Sequence, residues 1–287
     1  MLKEIRQLGF PVVELGHAIR FSLWPGIVKA WEEDLIKIQT LHNFCPVPTS
    51  IFRPDPNCYE FSDSRAAMRN AAIRASEDTI RHAARFGAKL VVFHLGSMGP
   101  AGVTKKLENL YDKGAFLSRA YTEIKVNAVK ERKENFQRLW PRVKTCLEPL
   151  VNLAGELNIR LGFEIREDFE EFPHEEEFPE VLEAFPPEVV GYWHDFGHSQ
   201  CKEFLGWHDH AETLRLRAPR LLGCHIHDCS PPDHDHRAVG DGEIDFARLA
   251  PLIPKEAIRV LELSPRVGRD DVIKSKEIWS SFAATSA

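Results

Sequence analysis

The chain has 287 residues, a net charge of −6 and 43% hydrophobic residues. That is enough apolar material for one large core, and the acidic balance argues against a nucleic-acid partner. No run of about 18 apolar residues offers a membrane span, and the opening Met-Leu-Lys-Glu-Ile-Arg lacks the charged-then-apolar pattern of a secretion signal. Six cysteines (Cys45, Cys58, Cys146, Cys201, Cys224 and Cys229) stand without a Cys-x-x-Cys pair. Free thiols in a reducing cytoplasm fit that scatter better than a disulfide framework. A single domain over 1–287 is expected, with no membrane partner.

In chain order, a helix over Leu2–Leu8 is followed by a candidate strand, Pro11–Leu15. A helix over 26–35 leads to a strand at Ile36–Leu41. Arg65–Phe86 reads as a long helix, with Ser62, Asp63 and Ser64 as capping candidates and Gly87 as its C-terminal stop. Strands follow at Leu90–Leu95 and Leu161–Ile165. Between them a helix over Val126–Leu157 is expected to break or kink at Pro141 and Pro149. Val189–His194, Leu222–Ile226 and Ile258–Leu263 complete seven strands, with helices at 200–218, 245–252 and 270–283. Alternation of apolar runs and helical segments predicts βα units around a parallel sheet. An α/β protein with a (β/α)8 TIM barrel is the expected fold. An eighth strand is missing from the reading, so the barrel either lacks its first strand or is irregular at that edge.

Charge is unevenly spread. Residues 105–144 carry eleven Lys or Arg against five acids, and 164–188 carry eleven acids against one Arg. Two solvated helix faces explain this. A sharper reading makes the basic segment a lid over an anionic substrate.

Every strand from the second onward delivers His, Asp or Glu near its C-terminal end. His42 follows Ile-Gln-Thr-Leu, His94 follows Leu-Val-Val-Phe, and Glu164 follows Leu-Gly-Phe. Asp195 follows Gly-Tyr-Trp-His, with His198 three residues on. His225 and His227 end Leu-Leu-Gly-Cys, and Glu262 sits in Val-Leu-Glu-Leu. One histidine in an apolar run is most often a core residue. Six strands in succession carrying such a group are not explained by packing, because buried charges are costly unless paired or metal-bound. In a βα barrel those ends converge on one face. Carboxylates mixed with imidazoles suit a divalent metal: Mn, Zn, Co, Mg or Fe. Cys224 and Cys229 read as core filler. Phe44, Phe93, Trp193 and Trp207 could form an apolar wall for a sugar ring.

Gly-Phe-Glu (162–164), Asp-Phe-Gly-His (195–198), His-Ile-His-Asp (225–228), Gly-Asp-Gly-Glu-Ile-Asp (240–245) and Glu-Leu (262–263) come in a telling order. Together they resemble the xylose isomerase-like TIM barrels, which include sugar isomerases and epimerases and the endonuclease IV type of apurinic-site nuclease. The resemblance implies one metal held by Glu164, Asp195, Glu262 and either His225 or His227. The nuclease-like spacing to Asp228 selects His225. It also implies Glu164 and Glu262 as the proton-moving pair, with His198 and Arg237 on substrate oxygens. His42 and His94 stand where the family places either further metal ligands or substrate-binding groups. With His198, His234 and His236 they form the expected second metal site.

Two functions follow as expectations. One is a metal-dependent isomerase or epimerase of a small sugar, keto-sugar or polyol, acting by proton transfer through an enediolate and using no organic cofactor. A lyase would share its first step. The other is an endonuclease IV-like phosphodiesterase that cleaves abasic DNA with two or three metals. The acidic chain and the absence of DNA-entering loops favour a small carbohydrate partner. The oligomeric state is left open by the sequence.

Overall fold

The computed structural model describes residues 1–284. Helix α1 (Leu2–Gln7) precedes strand β1 (Val12–Leu15), and α2 (Trp24–Glu32) leads into β2 (Lys37–His42). Helix α3 (Ala66–Phe86) leads into β3 (Leu90–Phe93). Helices α4 (Val103–Asp112) and α5 (Arg119–Glu156) come before β4 (Arg160–Glu164), and α6 (Phe178–Glu183) before β5 (Val190–Asp195). Helices α7 (Phe196–Phe204) and α8 (His210–Arg217) precede β6 (Leu221–Ile226). A two-stranded ribbon follows, β7 (Asp228–Ser230) and β8 (His234–Arg237). Then come α9 (Phe246–Leu249), β9 (Ile258–Leu261) and α10 (Arg269–Ala284).

Seven strands share one sheet in the order β1-β2-β3-β4-β5-β6-β9, with parallel pairing of β1 with β2, β2 with β3, β3 with β4, β5 with β6 and β6 with β9. Strands β3, β5 and β6 are buried along their whole length. That is why they read as continuous apolar runs rather than alternating ones. No strand precedes β1 among the described residues, and the β1–β2 register slips between Val13 and Glu14. No helix among the described residues is long and apolar enough to cross a membrane.

The chain folds into two compact units that interleave along the sequence. The first takes Met1–Gly96, Leu139–Phe163 and Glu180–Gly191. Its core holds Leu41, Ile80, Phe86, Val92, Leu147 and Leu161, all buried. The second takes Ser97–Arg138, Glu164–Pro179 and the chain from Tyr192 onward. Trp193, Phe196, Leu214, Cys224 and Phe246 are buried in it.

Four expectations need correction. Pro141 and Pro149 both lie inside the one helix α5, so of the expected break or kink the break does not occur. Trp140, Val143, Leu147 and Leu150 bury that face, and the Thr145 hydroxyl donates to the Pro141 carbonyl at 3.0 Å. Tertiary packing here outweighs the missing N–H groups. Helix α3 starts after Arg65 with no side-chain cap; Asp63 instead accepts from the Arg65 backbone N–H and its guanidinium. Gly87 does end that helix, in the left-handed conformation at φ 70°. The 200–218 helix is two helices, separated around Gly206 at φ 66°. The ribbon β7–β8 and helices α4 and α6 were not expected from the sequence, although α4 carries Val103, Leu107, Leu110 and Tyr111 at helical spacing and packs that face into the second unit's core.

Candidate metal centre

Four acidic and imidazole side chains meet in the second unit. Glu164 is the last residue of β4, Asp195 the last of β5, His225 the fifth of β6, and Glu262 the first after β9. His225 Nδ1 lies 3.1 Å from Glu164 Oε1, 2.9 Å from Glu262 Oε2 and 3.5 Å from Asp195 Oδ2. The candidate ligand atoms all fall within 4.8 Å of one another. A tetrahedron of ligands about 2.1 Å from a shared ion has edges of about 3.4 Å, so the set fits one divalent ion. Glu164, Asp195 and His225 are fully buried at 0–1% exposure, which a metal would compensate.

The surroundings favour the charged forms of Asp195, Glu262 and the neighbouring His198. Burial raises the Asp195 carboxyl, but His198, His227 and the hydrogen bond from His225 bring it well below the usual range. Burial likewise opposes charge on Glu262, and His225 overcomes it, lowering the carboxyl. Burial and Arg166 work against a charged His198, yet Asp195, Glu164 and Glu167 push it up to about 10.

His227 plays a different part from His225. Its Nδ1 accepts the His236 backbone N–H at 2.8 Å, and its Nε2 lies 2.9 Å from Asp195 Oδ1. Both ring nitrogens are engaged, and the ring stacks on His236 with centroids 4.2 Å apart. Gly197 makes room for this ring: any Cβ there would run into it. Asp228 is spent on the backbone. Its carboxylate accepts N–H groups of Cys229, Gly240 and Ile244, which shapes the Gly-Asp-Gly loop.

His198 sits in the first turn of α7, whose N-terminus Asp195 caps at 2.8 Å. Its Nδ1 is 3.4 Å from both Glu164 and Asp195. Its Nε2 faces Asp235 at 3.6 Å and Glu167 at 3.8 Å, a second group with metal-ligand character. The sequence placed His234 in such a site. Its ring is 68% exposed and turned to Asp233, while Asp235 points inward instead. His236 gives Nδ1–H to the Glu262 carbonyl at 3.0 Å and also groups with His198 and His227. Arg237 is exposed and donates to the Asp241 carbonyl. In the first unit, His42 and His94 are buried and face each other edge-on at 4.7 Å, and Asn57 holds His94 at 3.1 Å.

Three residues here carried no sequence signal that distinguished them. Glu167 and Arg166 lie in the acid-rich stretch, and Asp235 lies in an alternating Asp-His run. Arg166 is nearly buried. Its Nη1 is 3.2 Å from His198 Nδ1, and its Nε donates to Glu171 at 3.0 Å.

A cavity of about 560 Å³ in the same unit is walled by Glu108, Glu167, Asp168, Glu170, Asp233 and Asp235. Lys105, its one basic residue, pairs with Glu108 at 2.8 Å and with Asp233 at 3.5 Å. Burial pushes Glu167 up to about 8 against the pull of His198 and Arg166, with Asp235 adding to the rise. The inward cations of the basic segment are likewise committed to the protein. Lys125 donates to the Leu205 and Gly206 carbonyls, and Arg132 pairs with Glu177. The acid-rich segment is correspondingly not a solvated face throughout: Glu171 and Glu175 are buried, paired with Arg166 and Lys202.

The model of the xylose isomerase-like TIM barrels matches residues 2–265. No curated protein matches the sequence. Among solved structures, a D-tagatose 3-epimerase-like protein is 18% identical with a TM-score of 0.68, covering 99% of this chain and 92% of its own. The 3-keto-D-glucoside 4-epimerase YcjR from E. coli is 13% identical, TM-score 0.62, with coverage of 98% and 92%. The IolI protein, solved with a zinc atom, is 13% identical, TM-score 0.61, with coverage of 100% and 92%. At such identities these likenesses establish the fold. With its seven parallel strands and their βα succession, the chain belongs to the xylose isomerase-like TIM barrel family.

Proposed function

We propose that this protein is a divalent-metal-dependent isomerase or epimerase of a small, uncharged sugar, keto-sugar or polyol. The observation that carries the reading is the group Glu164, Asp195, His225 and Glu262, in which both glutamates approach Nδ1 of one buried imidazole. These four would hold the ion: Mn, Zn, Co, Mg or Fe. Bound there, it supplies positive charge that polarises a substrate carbonyl. Glu164 and Glu262 each have a second carboxylate oxygen. One takes the proton from the carbon beside the carbonyl, and the other returns it on the opposite face, the substrate passing through an enediolate. His198, and the facing pair His42 and His94, would hold substrate hydroxyls. Arg237 joins them only if β8 turns its side chain away from Asp241. The epimerases among the structural neighbours support the same substrate class. The six cysteines are free thiols, which fits a cytoplasmic enzyme.

Phosphodiester cleavage at abasic DNA is the second reading, favoured by the additional histidines His42, His94, His198 and His236. The acidic cavity wall works against it, because DNA binding needs cations on the phosphates. The deciding experiment incubates metal-loaded protein with free ketoses and keto-polyols in D2O, beside an abasic-site duplex. Deuterium entering a carbon next to the carbonyl, with the duplex intact, is the expected result. Cleavage of the duplex without exchange into any ketose would replace the first reading by the second.

A further inference from the structure

We propose that Arg166 is a built-in cation that keeps the Glu167–His198–Asp235 group from taking a second divalent ion, so that the protein works with one metal per chain. The inference rests on the metal site proposed above and concerns its neighbour. Glu167, His198 and Asp235 present ligand atoms close enough to share an ion. By donor chemistry alone, two carboxylates and an imidazole are a sound partial set for zinc or manganese. Arg166 Nη1, however, lies 3.3 Å from His198 Nε2, the nitrogen that faces Glu167 and Asp235. An ion bound to that nitrogen at about 2.1 Å could lie no more than about 5.4 Å from the guanidinium. Two positive centres at that separation repel, and the repulsion acts through the closed side of the group, where the Arg166 and His198 side chains are 12% and 2% exposed.

The arginine cannot easily swing away. It is buried to 12% side-chain exposure, and its Nε is tied to Glu171 at 3.0 Å. Glu171 in turn accepts the Asp168 backbone N–H, and its own carbonyl accepts from Arg132. Arg166 also cannot lose its charge, since a guanidinium stays protonated in proteins. The four-residue site tolerates the same neighbour because three carboxylates surround it: Glu164, Asp195 and Glu262. Arg166 lies 3.9 Å from Glu164 Oε1, farther than from the His198 ring.

The test counts ions. Metal is stripped by chelation and the protein titrated with Mn²⁺ alone, with free ion read by electron paramagnetic resonance. The wild type should saturate at one ion per chain. Arg166→Met, which keeps the stem and removes the charge, should saturate at two. Adding Asp235→Asn to it should return the count to one. Arg166→Lys should stay at one. A wild type that saturates at two overturns the proposal, as does a folded Arg166→Met protein that stops at one. Should Arg166→Met fail to fold, Asp235→Asn alone decides. An unchanged single ion of unchanged affinity supports the proposal, and a tenfold or greater loss of affinity overturns it. Two ions in a wild type that still exchanges ketose protons would sink this proposal and leave the function standing. No ion at all would sink both.

Discussion

His227 Nε2 lies 2.9 Å from Asp195 Oδ1 while its Nδ1 takes a hydrogen bond from the His236 backbone. The lone pair on Nδ1 is thereby spent, so the ring proton sits on Nε2 and is donated to the carboxylate. This makes His227 a partner that orients a ligand, whereas His225 offers Nδ1 to three carboxylates. Outer partners of this kind tune affinity without setting stoichiometry. Replacing His227 with Asn is therefore expected to weaken metal binding by about 10–100-fold with the ion count unchanged. His225→Ala should abolish binding at the site. Competition with a fluorescent chelator reads both, and equal losses in the two variants would contradict the division of roles.

The two glutamates should separate in a second experiment. Glu164 is buried, and its Oε1 meets both His225 and His198. Glu164→Gln removes an anionic ligand from a closed site and is expected to lower metal content and activity together. Glu262 keeps 28% side-chain exposure, at the more open side of the group. Glu262→Gln should retain more metal while slowing proton transfer by about 10²–10⁴-fold. Metal content from elemental analysis, set against ketose exchange in D2O, distinguishes them. Full activity in either variant would remove that residue from the proton path.

The contrast with the rest of the site shows what a sequence exposes. Glu164, Asp195, His225 and Glu262 were legible because each stands in or at the end of a largely apolar run, where a charged group has no packing reason to be, and because their order resembles that of the family. Strands β3, β5 and β6 were legible because they are buried along their whole length, and such continuous apolar runs leave a plain signal. Arg166, Glu167 and Asp235 were not, because a polar residue inside a polar stretch carries no contrast. Their roles come from partners far along the chain. Arg132, for instance, reaches Glu177 and the carbonyls of Phe169 and Glu171 from the middle of α5. Charge runs read as solvent-facing were in part internal pairs that only the fold brings together.

Metal-free stability should fall as pH rises toward 8. Asp168, with an ordinary value of 3.8, is pushed up to about 7 by burial and by Glu171, Glu170 and Glu108, with Arg166 opposing. Glu167 moves from 4.5 to about 8, as described above. Both carboxyls hold a proton in the folded state that the unfolded chain releases near pH 4. Between those values the native state binds more protons, so stability declines with rising pH through the folded values. Melting temperature followed from pH 5 to 8.5 on chelated protein should show that decline. Asp168→Asn should flatten it on the side below about 7, and an unchanged slope in that variant would discard the assignment.

Arg132 should matter for the site without touching it. It is 4% exposed, pairs with Glu177 through both Nε and Nη2 at 2.8 Å, and gives Nη2 to the Glu171 carbonyl at 2.8 Å. It thus pins the segment that carries Arg166, Glu167 and Glu171. Removing one partner of a buried pair leaves the other charged and unsolvated, which typically costs about 3–5 kcal/mol. Arg132→Met is expected to lower the urea midpoint accordingly. The double variant with Glu177→Gln should be less unstable than the two single losses combined, because the stranded carboxylate is gone. If the segment's position is what matters to the ion, Arg132→Met should also weaken Mn²⁺ binding under conditions where the protein remains folded. A variant that is destabilised yet binds Mn²⁺ as tightly as the wild type would confine Arg132 to stability alone.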